Sequence, residues 1–384
     1  MAGIQLAPSF GPSQKSIEAK LTDGSDLQVR VTTQGGLSEI ARLYPTAGNF
    51  NRLIDGTSTA TVTMILDWGS ANNVAGQEAK KIQECENLDD ISIGKQELEF
   101  RFGDYVFWAG PIQYISWSDG LMTIEAEDNT SWWASRVLPR INIRTAQDLT
   151  DIVRLYHLSA MELNQVNGFQ IVTSETGQYA ETVVEADDKR TASDAIDEIA
   201  DFGIDYTAVG RKVIIGPPSS FPTLQYEFTD RDFSSALKIE MLGPRQGFAT
   251  RIIAFGESGD PVTVQADEAT ISNYGVIERV VEFLQLTNKK DLTLAAQAYL
   301  KTFSDPFYIS SESGAVLRPG TPIDVASLVA GVKVYVDVSA SCREFRGILR
   351  IREINYDIAA GAFTLSLEPT SAAFGDTELT EVVQ

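Results

Sequence analysis

The run Glu97-Leu-Glu-Phe-Arg-Phe102 puts Leu98, Phe100 and Phe102 on one side of an extended chain and the charged residues on the other. Side chains alternate faces only in a strand, so this segment specifies a β-strand and excludes a helix. Gly103-Asp104 turns the chain into Tyr105–Ala109, and Ile112–Trp117 follows. Asp119-Gly120 reverses it again, and Leu121–Glu127 closes a meander. Asp-Gly between apolar runs is a hairpin signal, because tight hairpin turns need positive φ, which these residues tolerate. The same signal at Asp23-Gly24 separates Ile17–Leu21 from Leu27–Thr33, and Thr59–Leu66 is a further β-branched run. Hairpins in close succession with no helices between them predict an antiparallel barrel or sandwich.

The pattern changes after residue 140. Thr145 followed by Asp148 predicts a capped helix start, with Leu149, Ile152, Val153 and Tyr156 at helical spacing. A second helix is better marked: Thr191 and Asp194 form a capping box, Ala195, Ile196, Ile199 and Ala200 make an apolar stripe, and Gly203 stops it. Ile204–Val209, the Gly210-Arg211 turn and Lys212–Gly216 read as a hairpin. Pro217-Pro218-Ser219-Ser220 and Pro222 mark a boundary. Strands are expected again at Leu224–Phe228, Leu237–Met241, Ala249–Phe255, Pro319–Ile323, Val332–Val338, Arg346–Asp357 and Ala362–Glu368, with a helix over Asp291–Phe303.

With 384 residues the chain exceeds one ordinary β domain. The expected fold is mainly β with an α+β insert: two antiparallel, tube-like β-barrel domains separated by a small α+β domain. The expected division is an extended N-terminal arm at 1–16, a first barrel at 17–140 and the α+β domain at 141–217. A second barrel is built from 218–260 and 315–372, around a mixed insertion with a helix at 261–314, and an acidic tail occupies 373–384. One internal echo fits two similar barrels. Trp108-Ala-Gly110, a strand, a Gly120 turn and a strand ending at Glu127 are answered by Phe345-Arg-Gly347, a strand, a Gly361 turn and a strand ending at Glu368. Duplication and chance likeness between two hairpins both account for it.

Chemistry is constrained more by what is scarce. There is one histidine, His157, so any Ser-His-Asp or Cys-His arrangement must use it, and a metal site with two histidines is excluded. On an apolar-striped helix beside Tyr156 it reads as a packed residue. Cys85 and Cys342 read as buried thiols or as one long-range disulfide. Phosphate-cradling glycine motifs and the Gly-x-Ser-x-Gly elbow are absent. The acidic pairs Asp89-Asp90, Asp187-Asp188, and Glu97 with Glu99, read as solvated surface in so acidic a chain, and a glycosidase pair is the sharper reading. Trp117, Trp132 and Trp133 read as packing residues, with sugar stacking as the alternative. No catalytic, cofactor-binding or metal-binding residues are assigned, no cofactor is expected, and the chain is expected not to be an enzyme. The net charge of -22 opposes DNA binding, which depends on neutralising phosphates. No run approaches the roughly 18 apolar residues of a membrane helix, and Met1–Pro12 has no signal-peptide pattern, so no membrane span and no Sec export are expected.

Three blocks in order carry a resemblance. Residues 97–138, with Phe107-Trp108-Ala-Gly110-Pro111 and Ile124-Glu-Ala-Glu127-Asp128, resemble the first barrel of minor tail proteins of siphophages of actinobacteria. Ala195-Ile-Asp-Glu-Ile-Ala200 leading into Gly203-Ile-Asp-Tyr-Thr207 resembles a second block of that family, and Pro319–Ile323 through Leu328–Gly331 a third. The family is similar to the baseplate hub of contractile tails. The resemblance implies a structural virion protein of the tail tip, assembled in the host cytoplasm and taking part in genome ejection and host attachment. It implies a homotrimer in which three chains present six barrels to a hexameric tail tube. The implied partners are distal tail or tail tube, tape measure, and tip or spike proteins, with DNA passing through the channel unbound. A receptor- or carbohydrate-binding tip protein is the alternative, ahead of a cell-wall glycosidase.

Overall fold

A computed structural model describes residues 27–66, 82–83, 88, 90–139, 141–162, 170–184, 189–200, 203–234, 238–241, 244, 248–256, 259–283, 289–304, 307–310, 314–340 and 343–369. The expected arm, the Asp23-Gly24 hairpin, Cys85, Asp89, Asp187-Asp188, Cys342 and the acidic tail lie outside these residues. The chain is mainly β. Its elements are β1 (Leu27–Thr33), β2 (Glu39–Leu43), β3 (Ala47–Leu53), β4 (Thr59–Leu66), β5 (Ile82–Gln83), β6 (Gln96–Phe102), β7 (Tyr105–Ser118), β8 (Leu121–Glu127), α1 (Ser131–Ala134), β9 (Ile141–Asp148), α2 (Leu149–Glu162), β10 (Gln170–Thr173), β11 (Tyr179–Val184), α3 (Ala192–Ala200), β12 (Asp205–Val209) and β13 (Lys212–Gly216). They continue with β14 (Thr223–Thr229), β15 (Lys238–Met241), β16 (Arg251–Gly256), β17 (Val262–Gln265), α4 (Glu268–Tyr274), β18 (Glu278–Phe283), α5 (Lys289–Phe303), β19 (Phe307–Ser310), β20 (Ala315–Val316), β21 (Lys333–Ala340), β22 (Arg343–Asp357) and β23 (Ala362–Pro369).

The chain divides into two compact units. The first takes in the described residues up to Pro222 with Val316–Val332 and Arg352–Leu365. Its sheet runs β22-β3-β4-β8-β7-β6-β1-β2, antiparallel at each step, and β5 lies parallel on β4. The alternation read in β6 shows in the pairing of Leu98 with Val31 and of Phe100 with Val29, all four buried. Rings of Phe50, Phe100, Phe102, Phe107, Tyr356 and Phe363 fill the interior, with Phe50 and Phe100 4.3 Å apart and Tyr356 and Phe363 4.6 Å apart. Each buried Phe contributes about 2–3 kcal/mol, so this cluster is a principal source of the unit's stability. The expected closed barrel is not seen among the described residues: no ladder joins β2 to β22. β2 is short and its register against β1 slips at Val31/Thr32; at the following corner Thr46 N–H bonds instead to the Thr63 carbonyl.

The helical part of this unit has its own core, including Trp133, Ile152, Tyr156, Ile196, Val213 and Ile215. β12 and β13 form the expected hairpin, and β10 pairs with β13 in parallel. The capping box at Thr191 is present: the Thr191 hydroxyl accepts from Asp194 N–H at 3.1 Å, and the Asp194 carboxylate accepts from Thr191 N–H at 3.2 Å. The helix expected from Thr145 begins at Leu149 instead, and Thr145–Asp148 belong to β9. The cap sits three residues later than read: Asp148 accepts from Thr150 N–H at 3.0 Å and from the Thr150 hydroxyl at 2.7 Å. Pro319–Ile323 is no strand but a turn closed by Thr321 N–H to the Arg318 carbonyl. Pro319 and Pro322 lack the donors a ladder needs, and Gly320 adopts a φ of 87°.

The second unit comprises the described residues of Thr223–Ala315, Lys333–Ile351 and 366–369. β21 lies between β14, in parallel, and the first half of β22, antiparallel; Val334, Val336 and Val338 are buried. β15 pairs with β19. A small layer orders β17-β16-β18 and packs on α5 through Leu292, Ala296 and Leu300.

The two echoing segments share a plan. β6-β7-β8 and β21-β22-β23 each run short, long, short, with long strands of 14 and 15 residues. β7 pairs with β6 over its first half and with β8 over its second. β22 pairs with β21 over Arg343–Arg350 and also carries β23. Gly110 is obligatory in β7, since a Cβ there would collide with the Glu127 carbonyl oxygen.

Candidate functional site

The residues singled out in the sequence do not converge. Glu97 and Glu99 lie on one face of β6, both buried, and Arg211 from the β12–β13 turn reaches them. Its Nε and Nη2 donate to Glu97 Oε2 at 3.0 and 2.9 Å, Nη1 pairs with Glu99, and Nη2 donates to the Thr32 hydroxyl at 3.1 Å. Glu97 also accepts from Gly35 N–H at 2.9 Å, and Glu99 pairs with Arg101 at 3.2 Å. Gly36 has no side chain because one would occupy the space of this guanidinium. Two carboxylates that share Arg211, with Arg101 as the second cation, form a clamp within the unit; a glycosidase needs them across an open cleft.

Other buried polar groups do similar work. Arg52 is fully buried and lies 3.4 Å over the Phe107 ring. It donates to the Leu328 carbonyl at 2.6 Å and to the Phe107 carbonyl, and burial pulls its pKa down. Asp148 accepts from Thr150, Thr176 and Gly177. Burial works to raise its pKa, but these hydrogen bonds outweigh it and hold the carboxyl below its ordinary value. His157 is buried and accepts from Trp133 Nε1 at 2.9 Å, and burial depresses its pKa to about 4. It stands in the helical core as a neutral acceptor.

The tryptophans separate as well. Trp133 is buried, Trp132 packs against the same core, and Trp117 is 59% exposed near the end of β7. Tyr114 and Leu121 are exposed nearby on the same hairpin. β7 has a register shift between Ile112 and Tyr114, and beyond Ile112 it has β8 on one side only among the described residues. An unpaired strand edge bearing exposed aromatic side chains is the kind of surface that proteins use to join one another. Sequence reasoning located Trp117 but not this edge, because edge status depends on where β6 stops. Arg52 and Arg211 were missed too: an arginine in an alternating strand or a turn reads as surface unless its partners across the fold are known. Among the described residues there is no cluster of three or more metal-ligating side chains, and no helix is long and apolar enough to cross a membrane.

No protein-family model matches the sequence, and no curated protein matches it. Solved structures do. The 43 kDa tail protein of prophage MuSo2 from Shewanella oneidensis is similar at a TM-score of 0.62 and 13% identity, over 89% of this chain and 97% of that one. The tail protein from Neisseria meningitidis MC58 is similar at 0.59 and 13% identity, over 90% and 96%. Prophage tail protein gp18 from Listeria monocytogenes EGD-e is similar at 0.57 and 10% identity, over 90% and 95%. At these identities the likeness is one of backbone, and it runs nearly end to end in both partners of each pair. The chain has the fold of these phage tail proteins.

Proposed function

We propose that this chain is a structural, non-enzymatic component of a phage tail, of the baseplate-hub or minor-tail kind, located in the virion at the tail tip. The observation that carries the reading is the shared fold over 89–90% of the chain with three phage tail proteins from different bacteria. The polar groups of the first unit agree with it. Glu97 and Glu99 are matched by Arg211 and Arg101, which suits a rigid scaffold more than a reaction centre.

The finer role rests on the paired meanders. A chain with two tube-like modules at β6-β7-β8 and β21-β22-β23 matches a sixfold ring with three copies, so the proposed assembly is a homotrimer joining a hexameric tail tube to a trimeric tip. The ring encloses the DNA exit channel. At -22 per chain, three copies carry three times that charge, and an acidic wall lets DNA slide without phosphate contacts that hold it. The exposed edge of β7 with Tyr114 and Trp117 is a contact for neighbouring tail proteins. Native mass spectrometry of the purified chain, alone and with the tail tube protein of the phage that carries it, tests the assembly. The expected species is a trimer, alone or on the tube protein; a chain that stays monomeric with its neighbour present contradicts the hub.

A further inference from the structure

One face of the layer β17-β16-β18 packs on α5. On that side Arg279 lies over the rings of Tyr299 and Phe303, at 5.4 and 4.9 Å, and Phe283 packs on Tyr299. The opposite face is set by register: Arg251, Ile253 and Phe255 of β16 stand beside Glu278, Val280 and Glu282 of β18. Val280 is 59% exposed, and both glutamates are exposed. Arg251 pairs with Glu278 at 3.0 Å, whereas Glu282 has Phe255 opposite it.

β18 is also the end of its sheet, with β16 on one side only among the described residues. Its six residues pair with β16 without a register shift and contain no proline. Natural edge strands are ordinarily blunted by a bulge, a proline or an inward charge; β18 has neither of the first two, and its one inward charge, Arg279, is taken up by the rings of Tyr299 and Phe303, which leaves the outer backbone edge as a template for a further strand. We propose that this edge is a docking site for an extended segment of another protein, added as a strand beside β18. The segment presents a basic, an apolar and a basic residue at alternate positions, opposite Glu278, Val280 and Glu282. The identification follows from cross-strand pairing, in which opposite charges and apolar pairs attract and like charges repel. A second copy of this chain does not fit. Two β18 edges paired about Val280, antiparallel or parallel, set carboxylate against carboxylate. The inference rests on this layer alone and stands whether or not the chain is a tail hub.

The test uses the full chain and the fluorescein-labelled peptide acetyl-Thr-Lys-Thr-Val-Thr-Lys-Thr-amide, followed by anisotropy at physiological salt. A peptide of the same composition with its two lysines adjacent is the first control. The second is the alternating peptide N-methylated at every other residue, made in both phases; one phase removes the amides that face β18. The expected result is saturable binding of the alternating peptide, loss on N-methylation in one phase and not in the other, and binding of the adjacent-lysine peptide weaker by about tenfold. In the Glu278→Lys/Glu282→Lys variant the lysine peptide loses about tenfold and its glutamate counterpart gains a similar factor. Absence of binding, equal binding of all the peptides, or self-association of the chain that this charge reversal abolishes each overturns the proposal. The N-methylation arm uses the unaltered protein, so it decides even if the double variant folds poorly.

Discussion

Replacing Arg211 by Met strands two carboxylates. In the native unit the side chains of Glu97 and Glu99 are each 2% exposed, and the guanidinium serves both, with contacts to Glu97 at 2.9 and 3.0 Å. Removing one partner of a buried ion pair costs about 3–5 kcal/mol, because the remaining charge keeps its desolvation penalty and loses its compensation. Glu97 keeps Gly35 N–H and Glu99 keeps Arg101, so the lower end applies, about 3 kcal/mol. That lowers the folded-to-unfolded ratio more than a hundredfold, against a domain stability of about 5–15 kcal/mol. Arg211→Lys retains a charge but loses the fork and falls between the two. Adding Glu97→Gln and Glu99→Gln to Arg211→Met removes the stranded charges, and the triple variant recovers most of the loss. Urea unfolding followed by tryptophan fluorescence reads the effect, since Trp108 and Trp133 are buried in this unit. An Arg211→Met variant within about 1 kcal/mol of the parent, or a triple variant no better than the single, refutes the clamp.

Arg52→Met leaves the Leu328 and Phe107 carbonyls without their donor and costs about 1–3 kcal/mol for each, read as a lowered urea midpoint of the same unit. Gly110→Ala drives a methyl into the Glu127 carbonyl, and a soluble, natively folded variant with an unchanged melting temperature contradicts that geometry. Burial sets the His157 pKa at about 4, below its unfolded value near 6.5, so its neutral form favours folding above pH 6.5 and that contribution fades as pH falls toward 4. It amounts to about 3 kcal/mol across that window, and His157→Gln, which keeps an acceptor for Trp133, should lose the extra acid sensitivity in parallel pH-denaturation curves. Thr191→Ala removes half of the capping box and lowers the stability of the helical core by about 1 kcal/mol in the same urea assay.

Local geometry was legible where one periodicity acted alone. The alternation of Glu97–Phe102, the Asp119-Gly120 turn, the Thr191 cap and the Gly210-Arg211 hairpin all stand where the residues put them. β2, β3, β9, β10 and β11 were not read, because their partners, rather than their own patterns, make them strands: β10 lies on β13, and β9 on β11. Proline and glycine overrode the apolar reading of Pro319–Ile323. The glutamate pair on β6 was legible as a pair but not as buried. Its burial depends on an arginine 112 and 114 residues away in sequence, and no local pattern records such a contact. The three tryptophans, grouped by identity, are divided by environment: helices α1 to α3 enclose Trp133, while Trp117 extends beyond the point where β6 ends.

The most direct test of the central claim is a cryo-electron-microscopy map of the assembled phage particle that contains this chain. The account predicts three copies around the axis at the end of the tail tube, with the β6-β7-β8 and β21-β22-β23 meanders alternating in a ring of six and more Asp and Glu than Lys and Arg facing the channel. A neutral or basic channel wall would remove the sliding argument and leave the hub. A single copy, an even-numbered ring, or a position away from the tail axis would contradict the hub itself.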